Sequence, residues 1–144
     1  MNNQPILIAE DDADDRYLLQ TAFSEIGYPE KIDFVENGIE VLNYLNSNYT
    51  HNSDEKALPG FILLDLNMPK KDGREVLKEL KSHPVFKKIP VIVFTTTKNE
   101  IEIKRCYELG ANSYVVKPIS FDALLKVVEN IRSYWFQTAS IPVS

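Results

Sequence analysis

Five side chains that can take part in phosphoryl or metal chemistry stand at the ends of four short apolar runs in this sequence. Carboxylates bind Mg²⁺, a hard cation that prefers oxygen ligands. A carboxylate can also attack phosphorus to form an aspartyl phosphate, while an ammonium and a hydroxyl bind the phosphoryl oxygens. The set therefore predicts a site for a divalent metal ion and a phosphoryl group. Its members are Glu10, Asp11, Asp65, Thr95 and Lys117.

Each member of this set has a different predicted role. Asp65 is the predicted nucleophile, and it shares the metal ion with Asp11 through one oxygen each. Glu10 has a longer side chain and is expected to reach the metal through water, and a backbone carbonyl just after Asp65 adds a ligand. Because phosphoryl transfer depends on positioning and charge neutralisation, we expect Lys117 to neutralise developing charge and Thr95 to donate a hydrogen bond.

Alternating strand and helix patterns must bring these residues together. Continuous apolar runs predict buried strands, and apolar residues at helical spacing between them predict helices. Right-handed crossovers then give an α/β fold with a doubly wound, five-stranded parallel sheet of order 2-1-3-4-5. The predicted strands are 6–9, 32–35, 61–64, 91–94 and 113–116, and the predicted helices include 39–45, 74–83 and 99–109.

Start, stop and loop signals flank the predicted helices. Asp12 is predicted to cap the first helix and Gly27 to end it. Asp14 and Asp15 lie in its first turn, where they are interpreted as favouring the helix N-terminus through the macrodipole. The polar segment 46–60 lacks apolar periodicity and is predicted to form a long loop. The apolar face predicted for the first helix holds Leu18, Leu19, Ala22, Phe23 and Ile26.

Composition limits the class of protein. The chain has 144 residues, 44% of them apolar and 26% charged, so we expect a single domain over 1–144, with a core of about 5–134 and a tail of 135–144. A net charge of -5 argues against nucleic-acid binding, and no DNA-binding motif follows the last helix. The single cysteine, Cys106, favours a reducing compartment. Because membrane-span and signal-peptide patterns are missing, we expect a cytoplasmic protein with no membrane partner.

The sequence resembles the receiver domain of bacterial response regulators, the CheY-like family. The resemblance covers about residues 5–134 and implies a flavodoxin/CheY-like fold and a place in a two-component phosphorelay. It implies that Asp65 accepts a phosphoryl group from a phosphohistidine of a sensor histidine kinase or histidine phosphotransfer protein. The matching pieces are 6–12, 63–69 with 72–73, 94–95, 110–111 and 114–118.

The resemblance also implies a cofactor and the surroundings of the phosphoacceptor. The cofactor is Mg²⁺. Lys117 is implied to pair with Asp65 or with the phosphoryl group, and its bond to Pro118 resembles the cis peptide of the family. The implied metal ligands are Glu10, Asp11, Asp65 and the backbone carbonyl of Asn67.

Four residues are implied to switch or tune the signal. Thr95 moves toward the phosphoryl group, and Tyr114 matches the aromatic residue that follows it inward. Asn67 and Thr97 occupy positions that tune dephosphorylation, and neither carries a charged base. The signal is then a shift in population between two surfaces, and an unknown output protein reads it.

Three features resemble the response regulators that partner bacterial phytochromes: the segment 46–60, the run 70–73 and the aromatic tail. Members of that subgroup dimerise through the fourth helix, fifth strand and fifth helix. We therefore expect a homodimer interface that is enlarged by the aromatic residues Tyr134, Trp135 and Phe136. The alternative for Trp135 is that it caps the core of its own domain.

Two other functions stay open at this point. Phosphatases of the haloacid-dehalogenase type also combine a nucleophilic Asp with Thr, Lys and Mg²⁺, but they place a second Asp where this chain has Asn67. A degenerate receiver that only binds partners is the other alternative, and the complete set of reactive residues argues against it. We expect a signalling domain that at most catalyses its own phosphorylation and dephosphorylation.

Overall fold

The computed structural model describes residues 5–52 and 58–133. The strands are β1 (Ile6–Ala9), β2 (Ile32–Val35), β3 (Phe61–Leu64), β4 (Val91–Thr95) and β5 (Ser113–Val116). The helices are α1 (Ala13–Glu25), α2 (Gly38–Asn52), α3 (Gly73–Ser82), α4 (Glu100–Glu108) and α5 (Phe121–Arg132). The strands form one parallel sheet of order β2-β1-β3-β4-β5, which confirms the predicted doubly wound α/β fold.

Both faces of the sheet are buried, because successive side chains of each strand point to opposite sides. Ile6 and Ile8 of β1 enter a cluster with apolar residues of α1 and α5. Leu7 and Ala9 enter a second cluster with apolar residues of α2, α3 and α4. The central strands thus read as continuous apolar runs, and the reactive residues come where these runs stop.

The helices bury one face each, with one departure from prediction on α1. Leu19, Ala22 and Phe23 are buried as predicted, but Leu18 is 40% exposed. The reason is helical geometry, because Leu18 lies roughly 90° around the helix from the centre of the buried face. No helix in the described part of the chain has the length and apolarity needed to cross a membrane.

The ends of α1 follow the predicted signals. The side chain of Asp12 accepts hydrogen bonds from the backbone N–H groups of Asp14 and Asp15, at 2.8 and 3.0 Å. Gly27 follows the last turn with φ +70°, a conformation that favours glycine. These contacts fix where α1 begins, directly after the acidic residues that end β1.

The predicted loop 46–60 is wrong over its first half, because α2 continues to Asn52. Tyr49 follows Leu45 by one helical turn and packs edge-to-face on Phe86, with ring centroids 6.1 Å apart. This aromatic contact extends the apolar face of α2 through a segment whose composition is otherwise polar. Phe86 belongs to a short 3₁₀ helix, Phe86–Lys88, that the sequence pattern did not indicate.

Two further expectations concern the C-terminal part of the chain. Every peptide bond in the described ranges is trans, so the expected cis bond between Lys117 and Pro118 is wrong. The two isomers of an X–Pro bond differ by only about 0.5–1 kcal/mol, so a motif alone does not decide between them. Tyr134, Trp135 and Phe136 lie outside the described residues.

Gly73 connects the fold to the site, because it begins α3 directly against the backbone of the β3 end. Its N–H donates to the carbonyl oxygen of Leu66 at 2.9 Å. A Cβ at this position would meet the carbonyl oxygen of Asp65 and would lie 2.7 Å from Cα of Leu66. The close approach of α3 to Asp65 therefore requires glycine at position 73.

We predict that Gly73→Ala lowers the free energy of unfolding by about 1–3 kcal/mol, because the added methyl group forces backbone atoms apart. Urea denaturation followed by circular dichroism measures the change. Glu75→Ala, at an exposed position of the same helix, serves as the matched control and should change stability by less than ~0.5 kcal/mol. Equal stability of the two variants would contradict this reading of Gly73.

Candidate functional site

Parallel strand register brings the predicted carboxylates together. Ala9 of β1 pairs with Leu64 of β3, and the N–H of Asp65 donates to the carbonyl oxygen of Ala9 at 3.1 Å. Glu10 and Asp65 therefore follow their strands side by side. One carboxylate oxygen each from Glu10, Asp11 and Asp65 lies within 4.8 Å of the others.

The three carboxylates differ in exposure. Glu10 is 1% and Asp65 6% exposed, whereas Asp11 is exposed. Asp11 lies one residue further along the chain than Glu10, outside β1. Asp11 instead forms the open side of the acidic group, through which a cation can enter.

The donor set fits a hard divalent cation. Three carboxylates this close repel one another unless a cation or protons reduce their charge. Oε1 of Glu10 is buried and already pairs with a cation, the ammonium of Lys117, so this oxygen is placed to meet positive charge. Oxygen-only donors with an open side match the preference of Mg²⁺, which keeps several waters.

Lys117 crosses from the end of β5 into the acidic group. Its Nζ lies 2.6 Å from Oε1 of Glu10 as an ion pair without hydrogen-bond geometry. It donates hydrogen bonds to Oδ2 of Asp65 at 3.1 Å and to Oδ2 of Asp15 at 3.0 Å. The predicted pairing of Lys117 with Asp65 is present, and it is one of three carboxylate contacts.

These contacts shift two pKa values. Burial raises the pKa of Glu10 to about 7, and the charge of Asp65 adds to the rise while Lys117 opposes it. Burial alone would lower the pKa of Lys117, but the carboxylates of Glu10, Asp15 and Asp65 raise it above its ordinary value. Lys117 is therefore a cation at neutral pH, while Glu10 holds its proton to a higher pH than an ordinary glutamate does.

Thr95 occupies the last position of β4, beside Lys117. The N–H of Lys117 donates to the carbonyl oxygen of Thr95 at 2.8 Å, which continues the pairing of the two strands. Oγ1 of Thr95 is fully buried and has no hydrogen-bond partner among the described residues. An unpartnered buried hydroxyl costs about 1–3 kcal/mol, so this hydroxyl is available to an incoming acceptor oxygen.

The remaining predicted residues lie on the loops after β3 and β4 and, for Tyr114, in β5. The N–H of Asn67 donates to Oδ1 of Asp65 at 3.3 Å, and the Asn67 residue is exposed. The phenol of Tyr114 donates to the carbonyl oxygen of Thr97 at 2.8 Å. Burial raises the pKa of Tyr114, so the phenol stays protonated and keeps this donor role.

Asp15 is the site residue that sequence reasoning missed. Its predicted role was confined to the helix N-terminus, yet its carboxylate contacts Lys117. Position carried the signal, because Asp15 lies in the first turn of α1, a few residues after the acids that end β1. Helical side chains lean toward the N-terminus, which brings Asp15 back toward the end of β1.

Comparison with known proteins identifies the relatives of this arrangement. Residues 6–129 match the family model described as response regulator receiver domain. Rcp1, a response regulator from Synechocystis sp., is 37% identical over 96% of this chain and 93% of its own length. The probable methanogenesis regulatory protein FilR2 from Methanothrix harundinacea is 38% identical over 90% of this chain and 82% of its own length.

Solved structures agree with the sequence comparison. The phosphorylated cyanobacterial phytochrome response regulator RcpA superposes with a TM-score of 0.87 and 39% identity, covering 98% of this chain and 99% of RcpA. The Mn²⁺-bound form of Rcp1 superposes with a TM-score of 0.84 and 38% identity, covering 97% of this chain and 99% of Rcp1. The chain is therefore similar to these proteins in sequence as well as in fold, over nearly its whole length.

We predict that Lys117→Met lowers the metal-free unfolding free energy by roughly 3 kcal/mol, because it leaves buried carboxylates without their cation. The loss should grow as pH rises from about 6 to about 8, where Glu10 of the wild type ionises and Glu10 of the variant keeps its proton. A raised folded-state pKa of Glu10 makes its contribution to stability present at low pH and lost as pH rises through about 7. Removing Lys117 raises that pKa further, so the variant binds the proton more tightly and loses more stability on ionisation.

Urea denaturation at several pH values measures this effect. Lys126→Met removes an exposed cation from α5 and should change stability by less than ~0.5 kcal/mol at every pH. A difference between wild type and Lys117→Met that stays constant across this pH range would show that Glu10 is not the group left unpaired.

Proposed function

The chain belongs to the response regulator receiver family, and from that premise we propose that Asp65 accepts a phosphoryl group from a phosphohistidine. The donor is a sensor histidine kinase or a histidine phosphotransfer protein of a two-component phosphorelay. The observation that carries the proposal is the placement of Asp65 between an acidic metal-type donor set and the ammonium of Lys117.

The proposed step exchanges one bond to phosphorus for another. A carboxylate oxygen of Asp65 forms the O–P bond as the P–N bond of the phosphoimidazole breaks. The electron pair of that P–N bond returns to the imidazole nitrogen, which leaves as neutral histidine once protonated. Because Asp65 is 6% exposed and held by hydrogen bonds from Asn67 and Lys117, its oxygens are fixed before the donor arrives.

The proposed cofactor is Mg²⁺, held by Glu10, Asp11, Asp65 and the backbone carbonyl of Asn67. When bound, Mg²⁺ would supply charge neutralisation for the transferring phosphoryl group. The grouped carboxylates support this assignment, since their mutual repulsion favours a cation. The existence of a Mn²⁺-bound form of the relative Rcp1 also supports a divalent ion as the cofactor.

Lys117 and Thr95 are proposed to bind the phosphoryl oxygens. Lys117 already donates to Asp65 and can transfer that hydrogen bond to a phosphoryl oxygen on the same carboxylate. The buried hydroxyl of Thr95 gains its missing partner when it reaches the phosphoryl group. This new hydrogen bond would favour movement of the end of β4 toward the phosphorylated Asp65.

The loop after β4 is proposed to carry the signal outward. Tyr114 is half-buried and holds the carbonyl oxygen of Thr97, two residues beyond Thr95. A shift of Thr95 toward Asp65 changes the position of this carbonyl and releases Tyr114 to move inward. Phosphorylation then favours one of two surfaces on α4 and β5, which an output protein reads.

The proposed partners follow from the relatives. RcpA is a phytochrome response regulator, so a phytochrome-like sensor kinase is the proposed phosphodonor. On the same resemblance we propose a homodimer formed through α4, β5 and α5. We also propose that residues 1–144 form one receiver domain, and that it acts alone in the cytoplasm. The net charge of -5 supports an output by protein contact without direct DNA or membrane binding.

We predict that the wild-type protein takes up about one phosphoryl group per chain from a small acyl-phosphate donor with Mg²⁺, and that Asp65→Asn takes up none. Asp11→Asn should require much more Mg²⁺ for the same rate because it removes one metal ligand. Intact-mass spectrometry measures the label. Asp122→Asn, at an exposed position of α5, should behave as wild type, and labelling of Asp65→Asn would refute the assignment.

We predict that Thr97→Glu shortens the lifetime of the phosphoryl group by about 3–10-fold, less than a fully positioned general base achieves. The neutral pair Asn67 and Thr97 leaves the attacking water without a charged base, so the wild-type lifetime should be moderate. Decay of the acyl phosphate after donor removal gives the rates. Thr97→Gln has the same size without the charge, and equal lifetimes for Thr97→Glu, Asn67→Ala and wild type would exclude a tuning role.

A further inference from the structure

Asp15 contacts the catalytic ammonium but does not belong to the metal-type donor group. Nζ of Lys117 meets three carboxylates, and two of them also face the proposed metal. The grouped metal-type oxygens come from Glu10, Asp11 and Asp65. Of the three carboxylate contacts of Lys117, the one with Asp15 involves neither a proposed metal ligand nor the phosphoacceptor, so we expect it to stay in place on metal binding and phosphorylation.

The position of Asp15 is fixed by the start of α1. It is the third residue of the helix, and its N–H donates to the capping side chain of Asp12 at 3.0 Å. Its side chain is 37% exposed, whereas that of Lys117 is 13% exposed. An anion on a rigid helix end thus reaches a largely buried cation that has a long and flexible side chain.

We infer that Asp15 is a positioning residue for phosphoryl transfer: its carboxylate holds the Lys117 ammonium at the pocket after the other carboxylate oxygens are taken. A lysine side chain loses much rotamer freedom when it is fixed in one place. Because the hydrogen bond to Asp15 already fixes the Lys117 side chain, this entropy is lost before the phosphodonor binds and not during the transfer. The inference rests on the proposed function, since it names a further residue that supports the same transfer.

A simpler role for Asp15 is stabilisation of the α1 N-terminus. Asp14 provides the matched comparison, because it is an acid in the same turn whose N–H donates to the same capping side chain. Asp14 is exposed, and its carboxylate is not among the three that contact Lys117. A macrodipole effect would be shared by both residues, whereas a positioning effect belongs to Asp15 alone.

The test measures phosphorylation of the full chain by acetyl phosphate as Mg²⁺ is varied. At saturating Mg²⁺, Asp15→Ala should lower the rate constant for phosphorylation by about tenfold. The half-saturating Mg²⁺ concentration should stay unchanged, because Asp15 is not a metal ligand. Asp15→Asn keeps an acceptor oxygen without the charge, so its phosphorylation rate should lie between those of the wild type and Asp15→Ala. The rate of Asp14→Ala should match that of the wild type.

Each outcome separates this inference from the proposed function. A wild-type protein that takes up no phosphoryl group overturns the proposed function and this inference with it. If the wild type is labelled normally and the phosphorylation rate of Asp15→Ala equals or exceeds that of Asp14→Ala, the positioning role alone is overturned. Urea denaturation of each variant confirms folding, and Asp15→Asn carries the comparison if Asp15→Ala does not fold.

Discussion

Charge balance around one ammonium group is the constraint on which this structure depends. Lys117 brings one positive charge into a group of carboxylates that includes two nearly buried ones, Glu10 and Asp65. One ammonium cannot neutralise them all, and burial, together with the charge of Asp65, raises the pKa of Glu10 despite the contact with Lys117. The same imbalance favours the binding of a divalent cation, and such a cation would in turn attract the negative oxygens of a phosphoryl group.

The fold maintains this imbalance through backbone contacts rather than through the reactive side chains. The register of β1 and β3 sets Glu10 beside Asp65, and the glycine at 73 lets α3 begin against the backbone of Asp65. The continuation of pairing between β4 and β5 sets Lys117 beside Thr95. Since each reactive residue lies at or just after the end of a strand, the parallel sheet itself positions the site.

Sequence reasoning recovered what depends on periodicity and strand ends. The sheet order, the strand bounds and the group of Glu10, Asp11 and Asp65 follow from apolar runs and their terminating acids. It failed where one tertiary contact decides the outcome: the packing of Tyr49 on Phe86 lengthens α2, and the contact of Asp15 with Lys117 joins residues 102 positions apart. Local propensity carries no information on such contacts, because the partner belongs to another element.

The most direct test of the central claim is a crystal structure of the protein with Mg²⁺ and beryllium fluoride, a mimic of the phosphoryl group. The account predicts beryllium on a carboxylate oxygen of Asp65, a metal ion among the three grouped carboxylates, and fluorides in hydrogen-bond contact with Lys117 and with the hydroxyl of Thr95. A mimic bound elsewhere, or bound at Asp65 while Lys117 and Thr95 keep their present contacts, would contradict it.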